Sequence, residues 1–106
     1  MAVNEYGIQL DRNGYAPSII SNDERCYICK RTDLKVDRHE IFHGPYRTKS
    51  KALGCWCYLC HGHHMMLHQE WADLDITLKQ TCQEKAMNHY EWDTKEFLRR
   101  FGKNYI

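Results

Sequence analysis

The chain reads as a small α+β domain stapled by zinc, and three observations lead there. Cysteine and histidine crowd into one stretch, which begins with Cys26-Tyr27-Ile28-Cys29 and ends with Cys60-His61-Gly62-His63-His64-Met65-Met66-Leu67-His68. Two short segments inside it, rich in β-branched and aromatic residues, favour extended structure. Beyond His63 the apolar spacing changes to a helical period. At 106 residues the chain has apolar material for one modest core. Residues 1–25 are expected to form an N-terminal arm over a single domain at 26–106. Within that domain the metal-bearing core would cover 26–70 and the C-terminal helices 72–106.

The arm carries a turn at Asp11-Arg12-Asn13-Gly14, where Asn13-Gly14 suits positive φ. Its flanks, Tyr6 to Leu10 and Tyr15 to Ile20, are expected to pair briefly, with Pro17 keeping the second at an edge. Cys26 to Cys29 is a knuckle, because two thiolates separated by two residues can ligate one ion from a tight turn. Leu34 to Phe42 reads as a strand that Gly44-Pro45 ends, since the residue before proline avoids the α region. Residues 46–52 form a basic loop or short helix, and Gly54 to Cys60 a second strand. Helical spacing begins at His63, with His64 and His68 four apart on one face. A longer helix is expected over Ala72 to Tyr90, burying Leu74, Leu78, Cys82 and Ala86. A last helix has Asp93 as N-cap, Glu96 at the third position and Gly102 at the C-terminal cap. Phe97, Leu98 and Phe101 would pack it down, with Tyr105 and Ile106 closing over. Trp56, Trp71 and Trp92 read as core, and Met65-Met66 in part.

The charges nearly cancel, with 15 basic and 14 acidic residues, so no global field argues for a nucleic-acid partner. Local clusters say more: Arg47-Thr48-Lys49-Ser50-Lys51 is one, and Arg99-Arg100 with Lys103 another. Six cysteines are enough for a disulfide framework, but Met1 to Leu10 has neither a basic nor an apolar signal region. No run reaches the ~18 apolar residues of a membrane span. Cysteines mixed with histidines at short spacing then point to metal ligands in the reducing cytoplasm.

Two ligand sets compete for the second half of the zinc site. Cys57 and Cys60 would complete a four-cysteine site with Cys26 and Cys29, whereas Cys60 and His63 would complete a three-cysteine, one-histidine site. Helix geometry favours Cys60 and His63, which deliver the chain straight into the segment carrying His64 and His68. Cys57 then alternates with Cys55 as a small buried residue.

His39-Glu40-Ile41-Phe42-His43 matches the H-E-x-x-H pattern of zinc proteases. That pattern works on a helix. On a strand, at ~3.3 Å per residue, the two histidines would stand roughly 13 Å apart. A strand histidine facing His64 and His68 is a better constellation, because it sets one imidazole across a cleft from two others. Such a layout can hold a divalent metal on a phosphodiester while a base activates water.

The sequence resembles the HNH, or ββα-metal, endonucleases, and more narrowly a small phage- and prophage-type branch with a structural zinc. The resemblance rests on the CxxC knuckle, Arg38-His39-Glu40-Ile41-Phe42, Gly44-Pro45-Tyr46-Arg47-Thr48-Lys49-Ser50, Leu59-Cys60 to His68, and the ending Phe101 to Ile106. It spans roughly residues 14–106 and supports Cys60 and His63 as the second zinc pair. It implies a DNA endonuclease in which His39 is the general base and His64 and His68 hold Mg2+ or Mn2+, with Zn2+ or Ni2+ also suited to imidazole. A second register makes His39 a metal ligand and Glu40 the base. Arg38, Arg47, Lys49 and Lys51 would contact nucleic acid, and phage or host DNA-processing proteins would be partners. In this family the position before the base often holds metal, but here it is Arg38. The middle asparagine, which would fall near Cys55, is absent. The reading from another class is therefore a zinc-stabilised module that binds nucleic acid or protein without turnover.

Overall fold

A computed structural model describes residues 2–69 and 72–106. Trp71, expected in the core, lies outside the described residues. Two strands, β1 (Val36–Glu40) and β2 (Trp56–Cys60), pair antiparallel with Val36 opposite Cys60 and Glu40 opposite Trp56. Among the described residues four helices accompany them: α1 (Arg47–Ala52), α2 (His61–Gln69), α3 (Ala72–Tyr90) and α4 (Thr94–Phe101). Among the described residues no helix is long and apolar enough to cross a membrane.

The β1–β2 connection holds a single 3-10 turn at Gly44–Tyr46 and then α1. Ser50, fully buried on α1, ties this excursion to the sheet end. Its hydroxyl donates to the Cys55 carbonyl at 2.6 Å and accepts from the Phe42 amide at 3.1 Å. Gly54 completes the bend at φ +74, where an added Cβ would lie 2.4 Å from the Pro17 carbonyl oxygen. Only glycine lets the arm approach so closely.

The arm's pairing differs from the expectation. Among the described residues its one bridge joins Val3 to Gln9, across a turn whose Ile8 and Tyr6 amides are held by the Asn4 side chain. Residues 15–20 instead dock on the domain. The Ala16 amide donates to Lys51, the Ile19 amide to Gly54, and the Ser18 hydroxyl to the Trp56 carbonyl. Side-chain acceptors in the arm (Asn4, Asp11, Ser18) take over backbone donors that strand pairing would have used.

The α3 stripe is buried at Leu78, Cys82 and Ala86, with Gln83 fully buried beside them and Leu74 only partly covered. Gln83 fits in the interior because its amide is satisfied: it donates to Asn104 Oδ1 at 2.7 Å and accepts from the Tyr105 amide at 2.8 Å. That clamp draws the C-terminal tail across the domain. Helix α4 starts where Asp93 accepts from the Glu96 amide at 2.8 Å and stops at Gly102 in the left-handed region. Phe97 and Phe101 pack against Phe42. Leu98 and Ile106, expected to join them, are 40% and 50% exposed. Leu98 follows Phe97 by about 100° around the helix and so leaves the buried face. Ile106 lies past the Gln83 clamp.

Candidate metal centres

The knuckle is built by its backbone. Lys30 takes φ 61 and its amide donates to the Cys26 carbonyl at 2.8 Å, folding Cys29 back toward Cys26. The Tyr27 amide donates to Tyr58 at 2.8 Å and so pins the knuckle along β2. Strand β2 ends at Cys60, and His63 follows in the first turn of α2. His63 Nδ1 lies 3.2 Å from Cys60 Sγ and 3.5 Å from Cys26 Sγ. One donor atom each from Cys26, Cys29, Cys60 and His63 falls within 4.8 Å of the others. Donors around one tetrahedral zinc stand roughly 3.5–3.8 Å apart, given Zn–S near 2.3 Å and Zn–N near 2.0 Å. The four residues can hold a metal ion, and three thiolates with one imidazole are a set that zinc takes.

The thiols around this group differ sharply. Burial pushes Cys26 upward, but the amides of Cys29, Cys60 and Ile28 more than offset it and bring the thiol down to about 6. Cys57 stands outside the group, fully buried, and burial pushes its thiol up to about 12. It is a core residue, as is Cys55.

The second group is histidine only. Strand β1 presents His39, and α2 presents His64 and His68 one turn apart. The His39 ring centroid is 5.2 Å from that of His64 and 5.8 Å from that of His68, and the helix pair is 5.1 Å apart. One ring nitrogen from each of the three lies within 4.8 Å of the others. His39 is 2% exposed, and its Nε2 is buried with no hydrogen-bond partner among the described residues. Burial, followed by the charges of His64 and His68, depresses its pKa to about 4. It is therefore a neutral imidazole at physiological pH, the form that ligates metal. An unpartnered buried nitrogen beside two more imidazoles fits a metal-ligand role better than a packing role.

Asp37 supports this group from β1. Its Oδ2 lies 3.4 Å from Nδ1 of both His61 and His64. Burial raises the Asp37 carboxyl, but the contacts with His64 and His61 outweigh it and leave the group below its ordinary value. Its spacing of two from His39 on one strand was a signal available in the sequence.

The H-E-x-x-H segment is not helical. His39 and Glu40 end β1, and the chain then turns through Ile41 to His43. That turn brings the His43 ring to 6.4 Å from the His39 ring, where a continued strand would have separated them. His43 stands at the rim, its Nε2 3.7 Å from Asp75 Oδ1.

A cleft of about 510 Å³ opens over the three histidines, lined also by Tyr15, Arg38, Glu40, His43, Gly44 and Arg47. A neighbouring hollow of about 400 Å³ shares Tyr15, Arg38 and Arg47 and adds Lys51. Arg47 donates from Nε to Glu40 Oε1 at 2.5 Å. Arg38 is engaged by Asp11 at 2.7 Å and lies over the rings of Tyr15 and Trp56. Lys49 points elsewhere, donating to the Arg100 carbonyl at 3.2 Å. The geometry thus gathers His39, Glu40, His64, His68, Arg38, Arg47 and Lys51 at two joined hollows and leaves Lys49 outside. Comparison of the chain with protein-family models, with curated proteins and with solved structures finds no match.

Proposed function

We propose that the protein is a metal-dependent DNA endonuclease of the HNH type, hydrolysing a phosphodiester at the three-histidine cleft. The observation that carries this reading is the buried, unpartnered His39 Nε2 beside the imidazoles of His64 and His68. It favours the register in which His39 ligates metal with His64 and His68, leaving Glu40 as the base. Three nitrogen donors suit Zn2+, Ni2+ or another borderline ion better than Mg2+, which prefers oxygen. A bound divalent ion would supply positive charge against the phosphate and the leaving oxygen. The chain's own residues do the rest. Arg47 and Lys51 hold the strand by its phosphates, and Glu40, released from Arg47 as that guanidinium turns to phosphate, accepts the proton of the attacking water at its carboxylate. The Cys26, Cys29, Cys60 and His63 site would carry a structural zinc that fixes β2 against α2 and so sets the cleft's width.

A plasmid-nicking series in Mg2+, Mn2+, Ni2+ and Zn2+ tests the reading. Wild type cuts, while His39→Ala and Glu40→Gln each lose at least 100-fold with DNA binding retained. Undiminished cleavage by His39→Ala would end it. One observation favours a second reading. Glu40 is held by Arg47 and Arg38 by Asp11, so the base and one phosphate contact are both engaged. On that reading the chain binds nucleic acid without turnover, and the same series would give salt-sensitive binding and no product in any metal.

A further inference from the structure

We propose that Asp37 is a positioning residue that fixes the tautomer of His64 and so aims its Nε2 at His39 and His68; this rests on the reading of those three imidazoles as one metal-holding set. Asp37 lies two residues before His39 on β1, so both side chains leave the same strand face, toward the first turns of α2. Its Oδ2 is 3.4 Å from His64 Nδ1. A neutral imidazole has one N–H, so a proton held on Nδ1 by this carboxylate leaves the Nε2 lone pair free. Nδ1 cannot serve as donor to Asp37 and as metal ligand at once, which makes Nε2 the ligating atom. The same oxygen also meets His61 Nδ1 at 3.4 Å, but the His61 side chain is 80% exposed against 24% for His64. Water competes for the His61 contact far more than for the His64 contact. A carboxylate behind a metal-ligating histidine fixes ring orientation as well as tautomer, and losing such a partner typically costs 10–100-fold in metal affinity.

The test uses the full-length, zinc-loaded protein with 15N-labelled histidine at pH 8, before any second metal is added. Long-range 1H–15N correlation should show wild-type His64 protonated on Nδ1. Asp37→Ala should shift that proton toward Nε2, and Asp37→Asn, which keeps an acceptor oxygen, should restore it. Titration with Co2+, followed by its visible absorption, should then give an affinity about 10–100-fold lower for Asp37→Ala than for wild type. A wild-type His64 protonated on Nε2, or an Asp37→Ala protein with unchanged tautomer and unchanged Co2+ affinity, would overturn the proposal. A different failure is recognisable: if the tautomers behave as expected but wild type takes up no ion beyond its zinc, the metal-holding reading falls, and the aim ascribed to Nε2 falls with it.

Discussion

At the scale of single residues, burial sorts chemically identical side chains into different jobs. Cys57 and Cys60 lie three apart on one strand, yet only Cys60 reaches the Cys26, Cys29 and His63 donors. Cys57→Ser should therefore retain full metal content by elemental analysis while losing about 1–3 kcal/mol of stability, the cost of burying a hydroxyl without a partner. His63→Ala should lose the metal. The reverse pattern would restore the four-cysteine set. The same sorting separates the histidines: His39 is sealed in, whereas His61 is open to solvent. No spacing rule shows this, because burial of residue 39 depends on α2 lying across it. Gln83 is a similar case. Its polar side chain reads as surface until the tail segment at Asn104 and Tyr105 supplies its partners.

At the scale of elements, local chemistry predicted starts and stops better than contacts. The cap at Asp93 and the stop at Gly102 both stand where turn chemistry puts them. Asp93→Ala should cost about 1 kcal/mol in urea denaturation. Glu96 adds a pH signature. Its hydrogen bond and ion pair with Arg99 hold its carboxyl down at about 2. A carboxylate depressed in the folded state stabilises above its unfolded value near 4.5, and that contribution is lost as pH falls from there toward 2. Glu96→Gln should flatten the acid limb of a stability–pH curve in that window; an unchanged limb would show that the pair contributes nothing. Gly54 belongs to the bend between α1 and β2. Gly54→Ala combines a left-handed φ with a Cβ 2.4 Å from the Pro17 carbonyl oxygen, so a loss of about 2–3 kcal/mol in chemical denaturation is expected.

At the scale of the whole molecule, the cysteine–histidine site ties the knuckle to the end of β2 and the start of α2, adding to the Tyr27–Tyr58 backbone hydrogen bond and the shared apolar core. A structural zinc is worth roughly 10–16 kcal/mol in small domains, against a total stability of about 5–15 kcal/mol. Stripping the metal with a strong chelator should therefore abolish the near-ultraviolet circular dichroism of the buried Trp56 and Trp92 in one transition, reversed by Zn2+. Survival of that signal would show that the core stands alone. The sequence by itself determined the α+β class, the order of strands and helices and the caps, and it narrowed the cysteine–histidine set to two alternatives while singling out His39, His64 and His68, because each of these rests on residue type and local spacing. Only the tertiary structure decided that His39 is buried against α2, that Asp37 lies behind His64, that Arg38 is taken by the arm and that Lys49 leaves the cleft. Those outcomes depend on which surfaces meet across tens of residues of intervening chain, where side-chain direction and desolvation are set by the partner rather than by the local code.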